Sequence, residues 1–121
     1  MTNTAIALYK FFSGFGLPAY VEYSPPDDAQ LPYITYQLIE PDWDDGGTFY
    51  ARVWYRSTSY TAINAKVDQI RAAIGEGISL PTPGGAVYLT KGMPFVQYMP
   101  MEGDDTLRVA YLNFNLHALT T

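Results

Sequence analysis

The clearest pattern in the chain is an apolar residue at every third or fourth position over residues 62–74. Ile63, Val67, Ile70 and Ile74 would share one face of a helix, with polar side chains between them. Serine and threonine occupy residues 57–59, where their hydroxyls can accept hydrogen bonds from the first free N–H groups. Gly75 follows at the position where a left-handed residue often ends a helix. The pattern therefore predicts an amphipathic helix.

A shorter helix is predicted near the N-terminus. Asn3 or Thr4 can cap its first turn. Glycines at positions 14 and 16 and a proline at 18 end it, because neither residue type continues a helix well. The residues that would share its apolar face are Ala5, Leu8, Phe12 and Phe15.

The remaining apolar residues alternate with polar ones, which is the spacing of a strand with one buried face. Residues 33–39 and 48–55 show this best, and the Pro- and Gly-rich stretches beside them are predicted as turns or loops. A Gly/Pro-rich connector is predicted at residues 77–85, and a turn at 103–105. The predicted strands cover residues 19–23, 33–39, 48–55, 86–90, 95–99 and 107–119.

These elements follow the order α-β-β-β-α-β-β-β. Neither a repeat nor a linker divides the chain, so residues 1–121 are expected to form a single domain. Strands joined by short turns favour a mostly antiparallel sheet, and the helices need that sheet to bury their apolar sides. The sequence therefore predicts an α+β fold in which two amphipathic helices pack on one face of a single sheet.

Composition narrows the classes of function. The chain is 48% hydrophobic and has no cysteine, so a packed core is expected and thiol or disulfide chemistry is excluded. No apolar stretch approaches the roughly 20 residues of a membrane span. The N-terminal segment does not fit a signal peptide, because Lys10 interrupts its apolar stretch. We therefore expect no membrane association. The net charge is −5 and the basic residues are scattered, which disfavours specific DNA binding.

The acidic stretch at residues 40–47 invites comparison with a calcium-binding loop. An EF-hand needs acids at positions 1, 3 and 5, glycine at 6 and glutamate at 12. Counting from Asp42, position 5 is Gly46 and position 12 is Val53, so the motif fails and no metal or other cofactor is predicted. A solvated turn is one interpretation, and a tryptophan among acids that anchors a partner protein is another. The candidate residues of this loop are Asp42, Trp43, Asp44 and Asp45.

No set of residues predicts catalysis. His117 is the only histidine, and it lies in the last predicted strand without an evident acid partner. A Gly-x-Ser-x-Gly elbow is absent, and the glycines at 14, 16, 84 and 85 match no nucleotide-binding fingerprint. We therefore expect that the protein is not an enzyme.

Aromatic content is the unusual feature of the chain, which has 11 tyrosines, most of them in predicted strands. Two helices cover one face of a sheet, so part of this aromatic set must lie elsewhere. Tyrosine and tryptophan are favoured at protein interfaces, and the Met-rich stretch 93–101 is adaptable in the same way, although an ordinary core strand explains it equally well. The strand candidates for an assembly interface are Tyr50, Trp54, Met93, Phe95, Tyr98 and Met101.

The layout resembles the tail terminator, or tail completion, proteins of long-tailed bacteriophages. The resemblance covers most of the chain at the level of pattern, and no single motif in it is diagnostic. It rests on LPYITY at residues 31–36, RVWYRS at 52–57 running into the helix at 62–74, VYL at 87–89, GMPF at 92–95 and the long final strand.

The resemblance implies a homomeric ring, commonly a hexamer, that ends the tail tube and contacts the head connector protein. The tail tube protein would be its second partner, and DNA would pass through without specific binding. Such a protein would be assembled in the host cytoplasm and reside at the head-proximal end of the virion tail. Two alternatives remain open: another head–tail joining or minor tail protein, and a carbohydrate-binding module that uses Trp43, Trp54 and strand tyrosines as stacking platforms.

Overall fold

The computed structural model describes residues 3–39, 46–100 and 103–120, which form two helices and one six-stranded sheet. The order of elements confirms the predicted α-β-β-β-α-β-β-β sequence. No helix within these described ranges is long and apolar enough to cross a bilayer. The elements are α1 (Asn3–Ser13), β1 (Ala19–Val21), β2 (Tyr33–Tyr36), β3 (Gly46–Arg56), α2 (Thr61–Ile74), β4 (Ile78–Thr82), β5 (Gly85–Pro100) and β6 (Leu107–Thr120).

The strands lie side by side in the order β1-β2-β3-β6-β5-β4. Only β1 and β2 pair in parallel, and every other neighbouring pair is antiparallel. The predicted mostly antiparallel sheet is therefore confirmed. Both helices pack on the same side of it, which we call the inner face, and the opposite side is the outer face.

Helix α2 forms where the apolar spacing predicts it. The four isoleucine and valine side chains of the predicted stripe are all buried in the core. The hydroxyl of Ser59 accepts a hydrogen bond from the N–H of Thr61 at 3.1 Å, so one free donor of the first turn is satisfied. Gly75 ends the helix with a φ of +55°, a backbone conformation that side chains with a Cβ rarely adopt.

Aromatic side chains fill the space between α1 and the inner face. Phe12 of α1 stacks on Tyr36 of β2 with ring centroids 4.8 Å apart. It also meets Phe49 of β3 and Phe114 of β6 edge-on, at 6.3 and 5.6 Å. One side chain therefore contacts three strands, and edge-on and offset contacts of this kind are the favoured geometries for aromatic rings.

Two predictions about the second half of the chain are wrong. The connector predicted at residues 77–85 contains strand β4, whose Pro81 is tolerated because β4 lies at the edge of the sheet. The strands predicted at residues 86–90 and 95–99 are two parts of the single strand β5. The glycine and proline between them belong to a bulge, which absorbs the extra residues without ending the strand.

We expect Phe12→Ala to lower the free energy of unfolding by about 3–5 kcal/mol, because it removes a fully buried ring that the surrounding strands cannot replace. Urea unfolding followed by circular dichroism measures the loss. Tyr9→Ala, at a position of α1 that is 49% exposed, is the matched control and should cost much less. Equal losses for the two variants would contradict the packing described for Phe12.

Candidate assembly surface

Strand β3 presents its residues alternately to the two faces of the sheet. Phe49, Ala51 and Val53 are buried against the helices. Successive side chains of a strand point to opposite faces, so Tyr50 and the following even-numbered residues lie on the outer face. The half-buried state of Tyr50 is consistent with a face that no helix covers.

Arg52 is the centre of an aromatic cluster on this outer face. Its guanidinium lies 4.7 Å from the ring centroid of Trp54, 5.4 Å from that of Tyr111 and 5.9 Å from those of Tyr50 and Tyr23. It also donates a hydrogen bond to the Tyr111 hydroxyl at 3.3 Å. Contacts between a cation and aromatic faces within about 6 Å are attractive. The cluster therefore orders large aromatic side chains on a face that neither α1 nor α2 covers.

Glu22 supplies the counter-charge for Arg52. Its backbone N–H donates to the carbonyl of Tyr36 at 2.8 Å, which fixes the residue just beyond the end of β1. Its carboxylate forms an ion pair with the guanidinium, and the side chains of Arg52 and Glu22 are only 15% and 6% exposed. Removing either partner would leave the other charge buried without compensation, which strongly destabilises a fold.

Trp54 contacts three neighbouring side chains. Its indole N–H donates to the hydroxyl of Thr35 at 2.9 Å, which satisfies a polar side chain that is itself buried. The ring of Tyr33 lies 6.2 Å from the indole, and the guanidinium of Arg52 lies over it. Trp54 is therefore part of a packed cluster.

The bulge of β5 forms a second feature of the outer face. Four residues of β5 lie between Lys91 and Val96, where β6 has only Asn113. The side-chain amide of Asn113 donates to the carbonyl of Pro94 at 2.9 Å. A Cβ at Gly92 would lie 3.0 Å from the backbone of Asn113, so glycine suits the close approach of the two strands. The bulge is therefore hydrogen-bonded and tightly packed at its base.

Met93 lies at the tip of this bulge and is 99% exposed. It borders an open cavity of about 510 Å³ between the bulge and β3. An apolar side chain held fully in solvent by an ordered backbone is a suitable anchor for a partner surface. The other residues lining the cavity are Gln37, Thr48, Phe49, Tyr50, Gly92, Asn113, Phe114 and Asn115.

Phe95 and Tyr98 lie on the inner side of β5, towards the helices. Phe95 meets Phe114 edge-on at 5.7 Å, and the guanidinium of Arg71 lies 5.6 Å from its ring. Tyr98 contacts Tyr60 at 5.5 Å and remains 37% exposed. Burial raises the pKa of Tyr98, and the nearby Arg71 partly opposes that rise.

The structure therefore distributes the predicted interface residues over several places. It brings Tyr50 and Trp54 together around Arg52, a residue that the sequence analysis did not select. The signal for Arg52 was its place between two aromatics on one face of β3, whereas nothing in the sequence pointed to Glu22. Predicted candidates outside the described residues are Asp42, Trp43, Asp44, Asp45 and Met101.

His117 lies on the outer face of β6, opposite Gly46 of β3 and Tyr88 of β5. It borders an open cavity of about 300 Å³. In the ranges that the structure describes, no group of three or more His, Cys, Asp or Glu side chains is placed to hold a metal ion.

Residues 103–106, which directly precede β6, form an acidic turn. The carboxylate of Asp104 accepts hydrogen bonds from the hydroxyl of Thr106 at 2.7 Å and from its N–H at 3.0 Å. Arg56 donates to the same carboxylate at 3.2 Å. The hydrogen bonds from Thr106 are the main reason that the pKa of Asp104 is lowered, and Arg56 adds to the effect.

Comparison with known proteins defines a shared fold. No protein-family model matches the chain, and no curated protein matches it significantly. A chain from the virion of a native gene transfer agent particle superposes with a TM-score of 0.69 at 16% identity, covering 94% of this chain and 92% of that chain. A second solved chain has a TM-score of 0.62 at 12% identity, over 97% of this chain and 94% of its own length. At these identities the similarity shows the fold alone.

We expect Arg52→Met to lower the free energy of unfolding by about 3–5 kcal/mol, because Glu22 would be left buried without its counter-charge. Adding Glu22→Gln should recover part of that loss, since no charge is then stranded. Urea unfolding of the two single variants and the double variant measures the coupling. Arg71→Met, which breaks the exposed pair with Asp68, is the control and should cost less than about 1 kcal/mol. If the losses of unfolding free energy of the two single variants simply add in the double variant, the pairing of Arg52 with Glu22 is contradicted.

The Asp104 carboxyl has a lower pKa in the folded chain than in the unfolded chain, so its contribution to stability is present above the unfolded pKa and is lost as the pH falls through the folded pKa. We therefore expect Asp104→Asn to lower the Tm most near neutral pH, and the difference from wild type to shrink below about pH 4. Asp105→Asn, in the same turn, controls for the change in net charge. A difference in Tm that stays constant with pH would contradict this role of Asp104.

Proposed function

We propose that the chain is a non-enzymatic structural subunit of a phage-like virion, and that copies of it form a ring, most simply a hexamer, that ends the tail tube and joins it to the head connector. The observation that carries the proposal is the fold shared with a chain of a gene transfer agent virion over 94% of this chain and 92% of the other. The proposed site of action is the head-proximal end of the tail, after assembly in the host cytoplasm.

The outer face and the β5 bulge support an assembly role. Both present large apolar or aromatic groups to solvent, and Met93 is the most exposed of them. Side chains of these types are enriched at protein interfaces. A ring requires heterologous contacts, in which two different surfaces of the subunit meet. In this proposal the chain acts through such contacts and needs neither catalysis nor a cofactor.

The charges support passage of DNA without specific binding. Asp27 and Asp28 are exposed in the loop between β1 and β2, and the chain carries a net charge of −5. Most cationic groups already have partners within the chain, so few remain to neutralise phosphates. These engaged cations are Arg52 with Glu22, Arg56 with Asp104, Arg71 with Asp68, Lys66 with Gln69 and the Phe15 carbonyl, and Arg108 with the Thr58 and Asp105 carbonyls.

The contacts of Trp54 disfavour the carbohydrate-binding alternative. A sugar platform needs an open aromatic face, but the guanidinium of Arg52 lies 4.7 Å from the centroid of the Trp54 ring. The indole N–H is also already bonded to Thr35. Trp43 lies outside the described residues, so this argument concerns Trp54 alone.

The proposal predicts that the purified chain assembles into closed rings, with a mass several times that of the monomer. Light scattering and negative-stain images of the same sample test this. We expect Met93→Gln to reduce the assembled fraction, or the binding of rings to tail tubes, while leaving the Tm unchanged because the side chain is fully exposed. Tyr9→Gln, on the exposed side of α1, is the matched control.

A strictly monomeric chain at high concentration that also fails to bind tail tubes would contradict the proposal. Gold-labelled antibody on whole particles separates the tail terminator from other virion proteins. Label at the head-proximal end of the tail supports it, whereas label along the tail or at its far end favours a minor tail protein.

A further inference from the structure

Part of strand β5 has no strand on one of its sides. Strand β4 pairs with β5 only from Gly85 to Leu89, and in the described part of the chain the rest of β5 is paired with β6 alone. Residues 95–99 of this open segment contain neither a charge nor a proline. Natural sheet edges usually carry such residues to prevent pairing. On the same edge, Pro81 of β4 and Pro94 and Pro100 of β5 are such residues, so the unprotected stretch is limited to residues 95–99.

At the opposite edge of the sheet, no strand of the described residues pairs with the outer side of the short strand β1. The N–H of Glu22 donates to β2, and the carbonyl of Pro18 accepts from Ile34 of β2. Backbone groups alternate in direction along a strand, so Tyr20 also bonds to β2 and the groups of Ala19 and Val21 point away from β2. The carbonyl of Val21 already accepts a hydrogen bond from the N–H of Ser24 at 2.9 Å. Ala19 therefore presents an N–H and a carbonyl to the open edge.

The two open edges lie at the same position along the strand direction. Following the register from strand to strand, Tyr20 is aligned with Thr35, then with Arg52, Tyr111 and finally Gln97 of β5. The same path aligns the residue before Tyr20 with Tyr98 and the residue after it with Val96. The three residues of β1 thus match the segment of β5 that β4 leaves uncovered.

The directions of the two strands also match. Strand β1 runs parallel to β2, and three successive antiparallel pairs lead from β2 to β5, so β1 and β5 run in opposite directions. Rotation about an axis along the strands keeps the direction of each strand. A neighbouring copy placed by such a rotation would therefore bring its β1 antiparallel to β5, the pairing that also predominates within this sheet.

We propose that, in the ring inferred above, β1 of one copy adds to the open edge of β5 of the next, so that the sheets of neighbouring copies become continuous. The partner is a second copy of this chain, because the free edge of its β1 has the required position along the strands, the required direction and no charged residue. The contact is heterologous, and repeated rotation closes it into a ring. It would bury Tyr98 and Met99, which are 37% and 46% exposed in the single chain.

Engineered cysteines test this contact in a chain that has no cysteine of its own. Tyr20→Cys and Gln97→Cys are introduced together. Within one copy the two positions are four strand spacings apart, roughly 19 Å, which is beyond the about 7 Å limit for a disulfide. Between copies they would form a non-hydrogen-bonded pair with Cα atoms about 4.5 Å apart, which a disulfide can span.

We expect mild oxidation to give a ladder of covalent multimers on a non-reducing gel, ending at the number of copies in the ring. Each single variant should give little product alone, and a mixture of the two should stop at the dimer. Tyr20→Cys combined with Ser79→Cys, an exposed position of the β4 edge, is the matched control and should give no ladder. Thermal unfolding checks that every variant is folded.

Three results would overturn the inference. Efficient dimers from Gln97→Cys alone, without a ladder from the double variant, would show a two-fold β5–β5 contact. If the double cysteine variant forms rings by light scattering but gives no cross-links, the ring closes through another surface and only the proposed function stands. A folded monomer that gives no cross-links and also fails to bind tail tubes would overturn both the contact and the ring.

Discussion

The packing of Phe12 of α1 against the sheet determines which side of the three central strands β2, β3 and β6 faces inward. Its ring contacts Tyr36, Phe49 and Phe114 on three different strands. Side chains alternate along a strand, so a slip of one residue would exchange the two faces. Because these aromatic rings must lie against the helices, Tyr50, Arg52 and Trp54 are forced to the outer face. The candidate assembly surface is thus a consequence of core packing.

This packing leaves aromatic side chains on the outer face, where neither helix covers them. A sheet without a second layer exposes aromatic side chains that would otherwise collapse or aggregate. Arg52 and Glu22 form a buried ion pair in the middle of these rings, and the guanidinium contacts several of them. The charged pair keeps the aromatic groups ordered, so the face can be stable in a single chain and still available to a partner.

Strand β5 carries most of the features on which the proposed assembly rests. Its first part is covered by β4, its middle bulges outward at Met93, and its last part has an open edge. Each feature depends on where a neighbouring strand ends. The bulge shifts the register by absorbing extra residues, and Asn113 satisfies one of the carbonyls that the shift leaves without a ladder partner.

Apolar periodicity is a local property, so the printed residues were sufficient to predict the helices, the order of elements and the mostly antiparallel sheet. The stripe from Ile63 to Ile74 and the alternation in β3 both correspond to buried faces. Local patterns failed for β4 and β5. Pro81 is compatible with a strand only at the edge of a sheet, and the residues around Met93 form a bulge only beside β6, so both depend on distant parts of the chain.

The grouping of the candidate residues depends on the folded chain. It placed Tyr50 and Trp54 together, turned Phe95 and Tyr98 to the inner side, and paired Arg52 with Glu22 across 30 positions of the sequence. The alignment of β1 with the uncovered part of β5 likewise follows from register across five strands. Such relations arise from contacts between distant segments, and no pattern within a single segment contains them.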